Sequence, residues 1–191
     1  AADGVAANAF ATTFAAAAAA LCAWLALDLV RTGRATAVGG ATGVVVGLVA
    51  VTPAAGFVTP LAALAIGALG ACASYAAVQW RARTALDDAL DVFACHGVAG
   101  TVGALLTGVF ATTSVNPAGA PGWLAGNPAQ VVTQALAVAA AAALAALGTA
   151  GILLGLRAVM RVRVEVADEI AGVDMSEHGE AAYVGADGFA T

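Results

Sequence analysis

Val92-Phe93-Ala94-Cys95-His96-Gly97-Val98-Ala99-Gly100 opens a run in which no Asp, Glu, Lys or Arg occurs before Arg157. Soluble domains carry charge on roughly a quarter of their residues. Here only 10% of residues are charged and 62% are hydrophobic, with a mean hydropathy of +0.94. The solvent this chain is built for is a bilayer. A spanning helix needs about 20 mainly apolar residues, and the uncharged stretches predict five spans, at about 5–27, 36–56, 60–80, 90–111 and 131–156. Backbone groups in lipid must be paired internally, and an Ala/Val/Leu/Gly composition without strict alternation favours helices over a barrel. The expected fold is all-α: a polytopic transmembrane helical bundle over 1–163 and a tail over 164–191.

The charges that remain are informative by position. The net charge is -5, and the seven basic residues are all Arg, scattered rather than gathered into a patch; a nucleic-acid partner is excluded on that ground. Arg31 and Arg34 follow span one, Arg81 and Arg83 follow span three, and Arg157, Arg161 and Arg163 follow span five. The connections at 53–60 and 112–130 carry no charge. Basic residues mark the cytoplasmic side, so the expectation is a multi-pass protein of the cell (plasma) membrane with an external N-terminus and a cytoplasmic C-terminus. The sequence opens Ala1-Ala2-Asp3-Gly4 without an initiator Met or a basic region before an apolar core, the opening expected of a chain entered midway rather than of a signal peptide. Cys22, Cys72 and Cys95 form no C-x-x-C pair and each lies in an apolar span, where burial as a small hydrophobe is expected rather than metal or disulfide chemistry. No cofactor, metal or enzymatic activity is expected.

Small residues recur at helical spacing: Gly39, Gly43 and Gly47, then Gly97, Gly100 and Gly103. Such faces let helix backbones approach closely where lipid supplies no hydrophobic drive. Span two closes with Val51-Thr52-Pro53-Ala54-Ala55-Gly56. Pro53 removes a donor and disfavours helix at Thr52. Thr52 then either offers its hydroxyl and carbonyl to a small polar solute or simply marks the end of the helix; a break at membrane depth is tolerated where protein or a wet cavity satisfies the freed groups.

Asp87, Asp88 and Asp91 precede span four. Asp88 and Asp91 are positioned to cap that helix and complement its dipole, a role favoured over direct ligand contact. His96, eight residues beyond Asp88, lies roughly 12 Å further along the axis, near the middle of a core about 30 Å thick. A packing role alone does not require a desolvated imidazole there, so a functional site is favoured over a core histidine bonded to a neighbouring carbonyl. Neutral imidazole has one donor and one acceptor, which suits passing a proton or binding an uncharged amine better than holding a metal ion alone.

Three motifs together resemble the C-terminal part of the ammonium transporter family, to which the Rh glycoproteins are distantly related. They are the segment from Asp87 through His96-Gly97-Val98-Ala99-Gly100 to Leu106-Thr107-Gly108-Val109-Phe110-Ala111, the segment Gly47 to Gly56, and the tail Gly172-Val173-Asp174-Met175-Ser176-Glu177-His178-Gly179-Glu180-Ala181-Ala182-Tyr183. The resemblance implies a protomer of eleven helices built from inverted repeats, of which this chain supplies five, assembled as a homotrimer with one path through each protomer; such repeats place the working site near the midplane. His96 resembles the second of the family's paired pore histidines, acting as proton relay and ammonia contact. Val45, Thr52 and Val92 correspond to positions lining the narrow path. Asp88 corresponds to an aspartate supporting the histidine-bearing helix, and Asp91 to the cytoplasmic mouth, where nitrogen-regulatory PII proteins dock in some members. The tail is implied to pack across protomers and add to that docking surface.

Departures accompany these matches. The first pore histidine, the aromatic gate and the external cation-recruiting residues belong to earlier helices of the family, absent from these 191 residues. Cys95 stands where many members carry an aliphatic residue. The implied function is transport of ammonium, deprotonated before an apolar constriction and crossing as ammonia while histidines relay the proton. An ammonium sensor or regulatory module, and a segment inactive alone, are the alternatives. His178, among Glu177, Gly179 and Glu180, is expected to be solvated.

Overall fold

The computed structural model describes residues 2–180, and the tail positions from 181 onward, Ala181, Ala182 and Tyr183 of the last motif among them, lie outside the described residues. Helix α1, Gly4–Thr32, starts where the Asp3 carboxylate accepts the Ala6 N–H at 2.9 Å, and it stops at Gly33, whose φ of 75° turns the chain out of the helix. It runs beyond the predicted end of span one because neither Asp28 nor Arg31 breaks a helix, and Arg31 in the last turn complements the dipole. Helix α3, Pro60–Arg81, is capped by Thr59 and begins on Pro60, a residue suited to the first helical position because its N–H would be unpaired anyway.

Between them, α2 covers only Ala37–Val51, 15 residues against the predicted 36–56. Among the described residues four apolar helices reach membrane-spanning length, Gly4–Thr32, Pro60–Arg81, Phe93–Phe110 and Ala129–Val159, and α2 is shorter. Pro53 explains the difference. It has no N–H for the Val49 carbonyl, which the Thr52 N–H takes instead at 3.2 Å. The chain continues in turns, with Ala54 and Ala55 both donating to the Val51 carbonyl at 2.8 and 2.9 Å. Thr52 itself keeps helical backbone angles, φ -49° and ψ -48°, so the proline ends the helix through the lost donor and not by forcing its predecessor into an extended form. The Asn8 amide donates to the carbonyls of Ala55 and Val58 at 3.1 and 3.0 Å, and the Thr12 hydroxyl, 2.9 Å from that of Ala55, shares its one proton between it and the carbonyls of Asn8 and Ala9 in its own helix. Protein, supplied by α1, satisfies the backbone that the break exposes.

After α3 the chain crosses to a π-helical turn, Phe93–Val98, that runs directly into α4, Ala99–Phe110. A loop holding a short 3-10 turn, Trp123–Ala125, leads to α5, Ala129–Val159. Two compact units divide the chain, 1–141 and 142–191, and α5 crosses their boundary. In the first, α1, α2 and α3 pack on one another around Ala16, Ala20, Trp24, Val46, Ala50 and Ile66, while α4 packs on α2 and α3. Glycine makes these crossings close. A Cβ on Gly47 would sit 2.6 Å from the Ala16 carbonyl oxygen, and one on Gly103 would sit 2.7 Å from the carbonyl carbon of Ala50. Gly67 of α3 meets the same Ala16 carbonyl. Gly97 and Gly100 have only ordinary contacts, so of that triplet Gly103 makes the crossing. In the second unit, α6 (Val166–Ala171) follows α5, Arg161 pairs with Glu165, and Arg163 pairs with Glu169 at 2.7 Å. His178 is exposed.

Cys95 is buried, but Cys22 and Cys72 are exposed, contrary to the burial expected of all three. Cys72 lines the hollow between α1 and α3, and a thiol is only weakly polar, so an apolar run does not by itself require it to be buried.

Candidate functional site

The π turn and the segment before it bring most of the singled-out residues together. Asp88 accepts the Val92 N–H on one carboxylate oxygen and the Phe93 N–H on the other, both at 2.9 Å. These two donors hold its carboxyl below the ordinary aspartate range, because only the ionised form accepts both. Asp91 has a φ of 52°, a left-handed conformation that Asp tolerates better than most residues. Arg81, the last residue of α3, holds it there, with its Nη2 and Nε 2.7 and 2.8 Å from the same carboxylate oxygen. The Asp91 carbonyl in turn accepts the Cys95 N–H at 2.8 Å. Farther along α3, the buried Ser74 hydroxyl donates to the Ala94 carbonyl at 2.7 Å.

His96 sits inside the π turn and is exposed in this chain; it is not a core histidine. Its side chain lines a cavity of about 430 Å³ between α2 and the start of the π-turn helix. Val38, Ala41, Thr42 and Val45 form one wall, and Leu90, Asp91 and Cys95 accompany His96 on the other. The wall facing the imidazole is thus aliphatic apart from the Thr42 hydroxyl, which donates to the Val38 carbonyl at 2.9 Å. Val45, Asp91 and His96 are brought into one site. Val92 and Thr52 are exposed but do not line this cavity. The Thr52 hydroxyl donates to the Leu48 carbonyl at 2.7 Å, the back-bonding of a helix end, leaving its lone pairs as the group a solute can address.

A larger hollow of about 590 Å³ lies between α1 and α3, lined by Leu27, Tyr75 and Trp80 with Arg31 and Arg83. None of the predicted site residues lines it, whereas Val45, Asp91 and His96 all line the smaller cavity. Among the described residues, no group of three His, Cys, Asp or Glu is arranged to hold a metal ion.

One polar centre escaped the sequence reading. Asp28 is 8% exposed. The Thr36 hydroxyl lies 3.2 Å from its carboxylate, the Tyr75 hydroxyl bonds to it, and Gly39 packs against it where a side chain would not fit. Trp24 meets Tyr75 edge to face at 5.1 Å in the same corner. Asp28 therefore ties the start of α2, whose wall faces His96, to both α1 and α3. The available signal was an acid at the end of an otherwise uncharged run, eight residues before a Thr-x-x-Gly helix start.

Residues 1–183 match the family model described as the Ammonium Transporter Family. The chain belongs to the ammonium transporter family. An ammonium transporter of Aquifex aeolicus is 47% identical to it over 173 residues, which cover 90% of this chain and 40% of that protein. One from Bacillus subtilis is 40% identical over 182 residues, 95% of this chain and 45% of that one. The crystal structure of Saccharomyces cerevisiae Mep2 matches with a TM-score of 0.80 at 34% identity, over 85% of this chain and 38% of Mep2. A solved structure described as a sensor Amt protein matches with a TM-score of 0.77 at 30% identity, over 89% of this chain and 41% of that chain. This ammonium-transporter-family chain spans less than half the length of these relatives. It is a multi-pass membrane protein of a family of transporters rather than enzymes, with an all-helical fold matching Mep2.

Proposed function

We propose that the protein of which these residues form part carries ammonium across the cell membrane, with His96 as the proton relay and ammonia contact of a narrow apolar path. The observation that carries this is the cavity in which His96 faces the aliphatic wall of α2. A small cation entering such a path loses hydration that aliphatic walls do not replace, whereas neutral ammonia loses far less. Deprotonation at the entrance, with the proton passed separately by imidazole, separates ammonium from potassium where size does not. Val45, Val92 and Thr52 line the path in this scheme, Asp88 supports the histidine-bearing helix, and Asp91 stands at the cytoplasmic mouth. The protein works as a homotrimer, with its arginine-bearing connections in the cytoplasm and a PII-type regulator as partner at that face. The 191 residues alone provide one wall of the path and conduct only with the rest of the protein.

Solid-supported-membrane currents from proteoliposomes of the full-length protein test the relay. His96→Ala is expected to abolish most ammonium current, and His96→Asp or His96→Glu to admit potassium. Ammonium current of unchanged size and selectivity in His96→Ala sinks the relay role. A sensor is the alternative, favoured by the structural match to the sensor Amt protein. Ligand-dependent protection from proteolysis without measurable flux is the result that selects it.

A further inference from the structure

We propose that Ser74 is a positioning residue, whose buried hydroxyl holds the π turn that aims His96 into its cavity. Ser74 is 0% exposed, and a hydroxyl so placed in an apolar helix needs a partner to offset its desolvation. Its acceptor is not in its own helix. It is the carbonyl of Ala94, twenty residues along the chain and two before His96, at 2.7 Å. Ala94 is itself fully buried, so water does not substitute for the serine. A π turn fits an extra residue into the helix and is rare; one kept at the start of an apolar helix is held from outside. Ser74 and Arg81 lie seven residues apart, two turns along α3 and so on one face. Both reach the same short segment, Ser74 at the Ala94 carbonyl and Arg81 at the Asp91 carboxylate, while Asp88 takes the N–H groups of Val92 and Phe93. Asp88 pins the amide end of the turn and Ser74 its second residue, Ala94, two residues before His96. Its effect on transport rests on the role given to His96 above; its effect on the turn does not.

Two measurements on the full-length protein separate these parts. In hydrogen-exchange mass spectrometry, Ser74→Ala is expected to speed exchange in peptides covering 92–100 by about tenfold, with peptides from the first half of α3 unchanged. In proteoliposomes, the same variant is expected to raise the potassium-to-ammonium current ratio by about threefold, the scale of one interhelical hydrogen bond in a membrane, and Ser74→Thr, which keeps the hydroxyl, to restore it. A merely structural role lowers both currents together and leaves the ratio alone. Unchanged exchange at 92–100 overturns the proposal whatever the currents do, and changed exchange with an unchanged ratio overturns the aiming of His96. If His96→Ala itself leaves current and ratio intact, the relay fails and the transport effect of Ser74 with it, while exchange still decides whether Ser74 holds the turn. Should Ser74→Ala not fold, Ser74→Cys, of similar volume with a weaker donor, serves in its place.

Discussion

Gly47→Ala is the sharpest test of how α1 and α2 are held. The added Cβ would lie 2.6 Å from both the Ala16 carbonyl oxygen and the Ala20 Cβ, and 2.8 Å from the Ala17 Cα. Ordinary contact begins at 3.4 Å, so the helices must separate by about 0.8 Å or bend, because none of the three obstacles is the end of a flexible side chain. Overpacking of this kind costs about 1–3 kcal/mol. Alanine returns about 1 kcal/mol through its better helix propensity, so the net effect is a loss of up to about 2 kcal/mol. Gly100→Ala is the matched control, since its Cβ would meet only the Val49 Cγ1 at 3.8 Å; it is expected to melt with or slightly above the parent. The assay is the midpoint of irreversible loss of the monodisperse peak on size exclusion after heating in detergent. A Gly47→Ala protein melting at or above both the parent and Gly100→Ala refutes the close crossing.

Thr12→Val is expected to cost about 1 kcal/mol in the same assay, because the fully buried hydroxyl that donates to the Ala55 carbonyl is lost; a neutral result means Asn8 alone satisfies that turn. Arg81→Ala and Asp91→Ala are each expected to destabilise, and a double-mutant cycle to return a coupling of about 0.5–1 kcal/mol, modest because the pair is partly exposed, with 23% and 26% of the side chains accessible. Zero coupling means Arg81 does not hold the left-handed Asp91. Asp88 has a folded pKa below its unfolded one, so its contribution is full above about pH 4 and is lost as pH falls through the lower folded value. Melting midpoints between pH 5 and pH 3 are therefore expected to depend less on pH in Asp88→Asn than in the parent, and equal slopes would show that the cap does not titrate with folding.

Helix existence was legible from charge-free runs, because a charge is costly in hydrocarbon and so bounds the span, although not the helix itself. Boundaries followed where a local cause could be read, as at Thr59-Pro60 and at Gly33. The early end of α2 required knowing that Pro53 costs a donor before it disturbs Thr52. Two features had no such trace. The π turn at Phe93–Val98 depends on contacts from Ser74 and Arg81, which lie in another helix, and no periodicity within an all-apolar run encodes them. Asp28 was passed over because a single acid at a span end also marks an ordinary membrane boundary. His96 stood out for the opposite reason, being the lone imidazole in a run without Asp, Glu, Lys or Arg.

The Ala16 carbonyl faces Gly47 of α2 and Gly67 of α3, leaving backbone against backbone on two sides of α1. No side chain lies there to flex as a bearing between the helices. A displacement of α2 or α3 is consequently expected to carry α1 with it, the three acting as a single stator. The turns after Pro53 and the π turn beneath His96 are fastened differently, by side chains reaching across from other segments: Asn8 and Thr12 in the first case, Asp88 and Ser74 in the second.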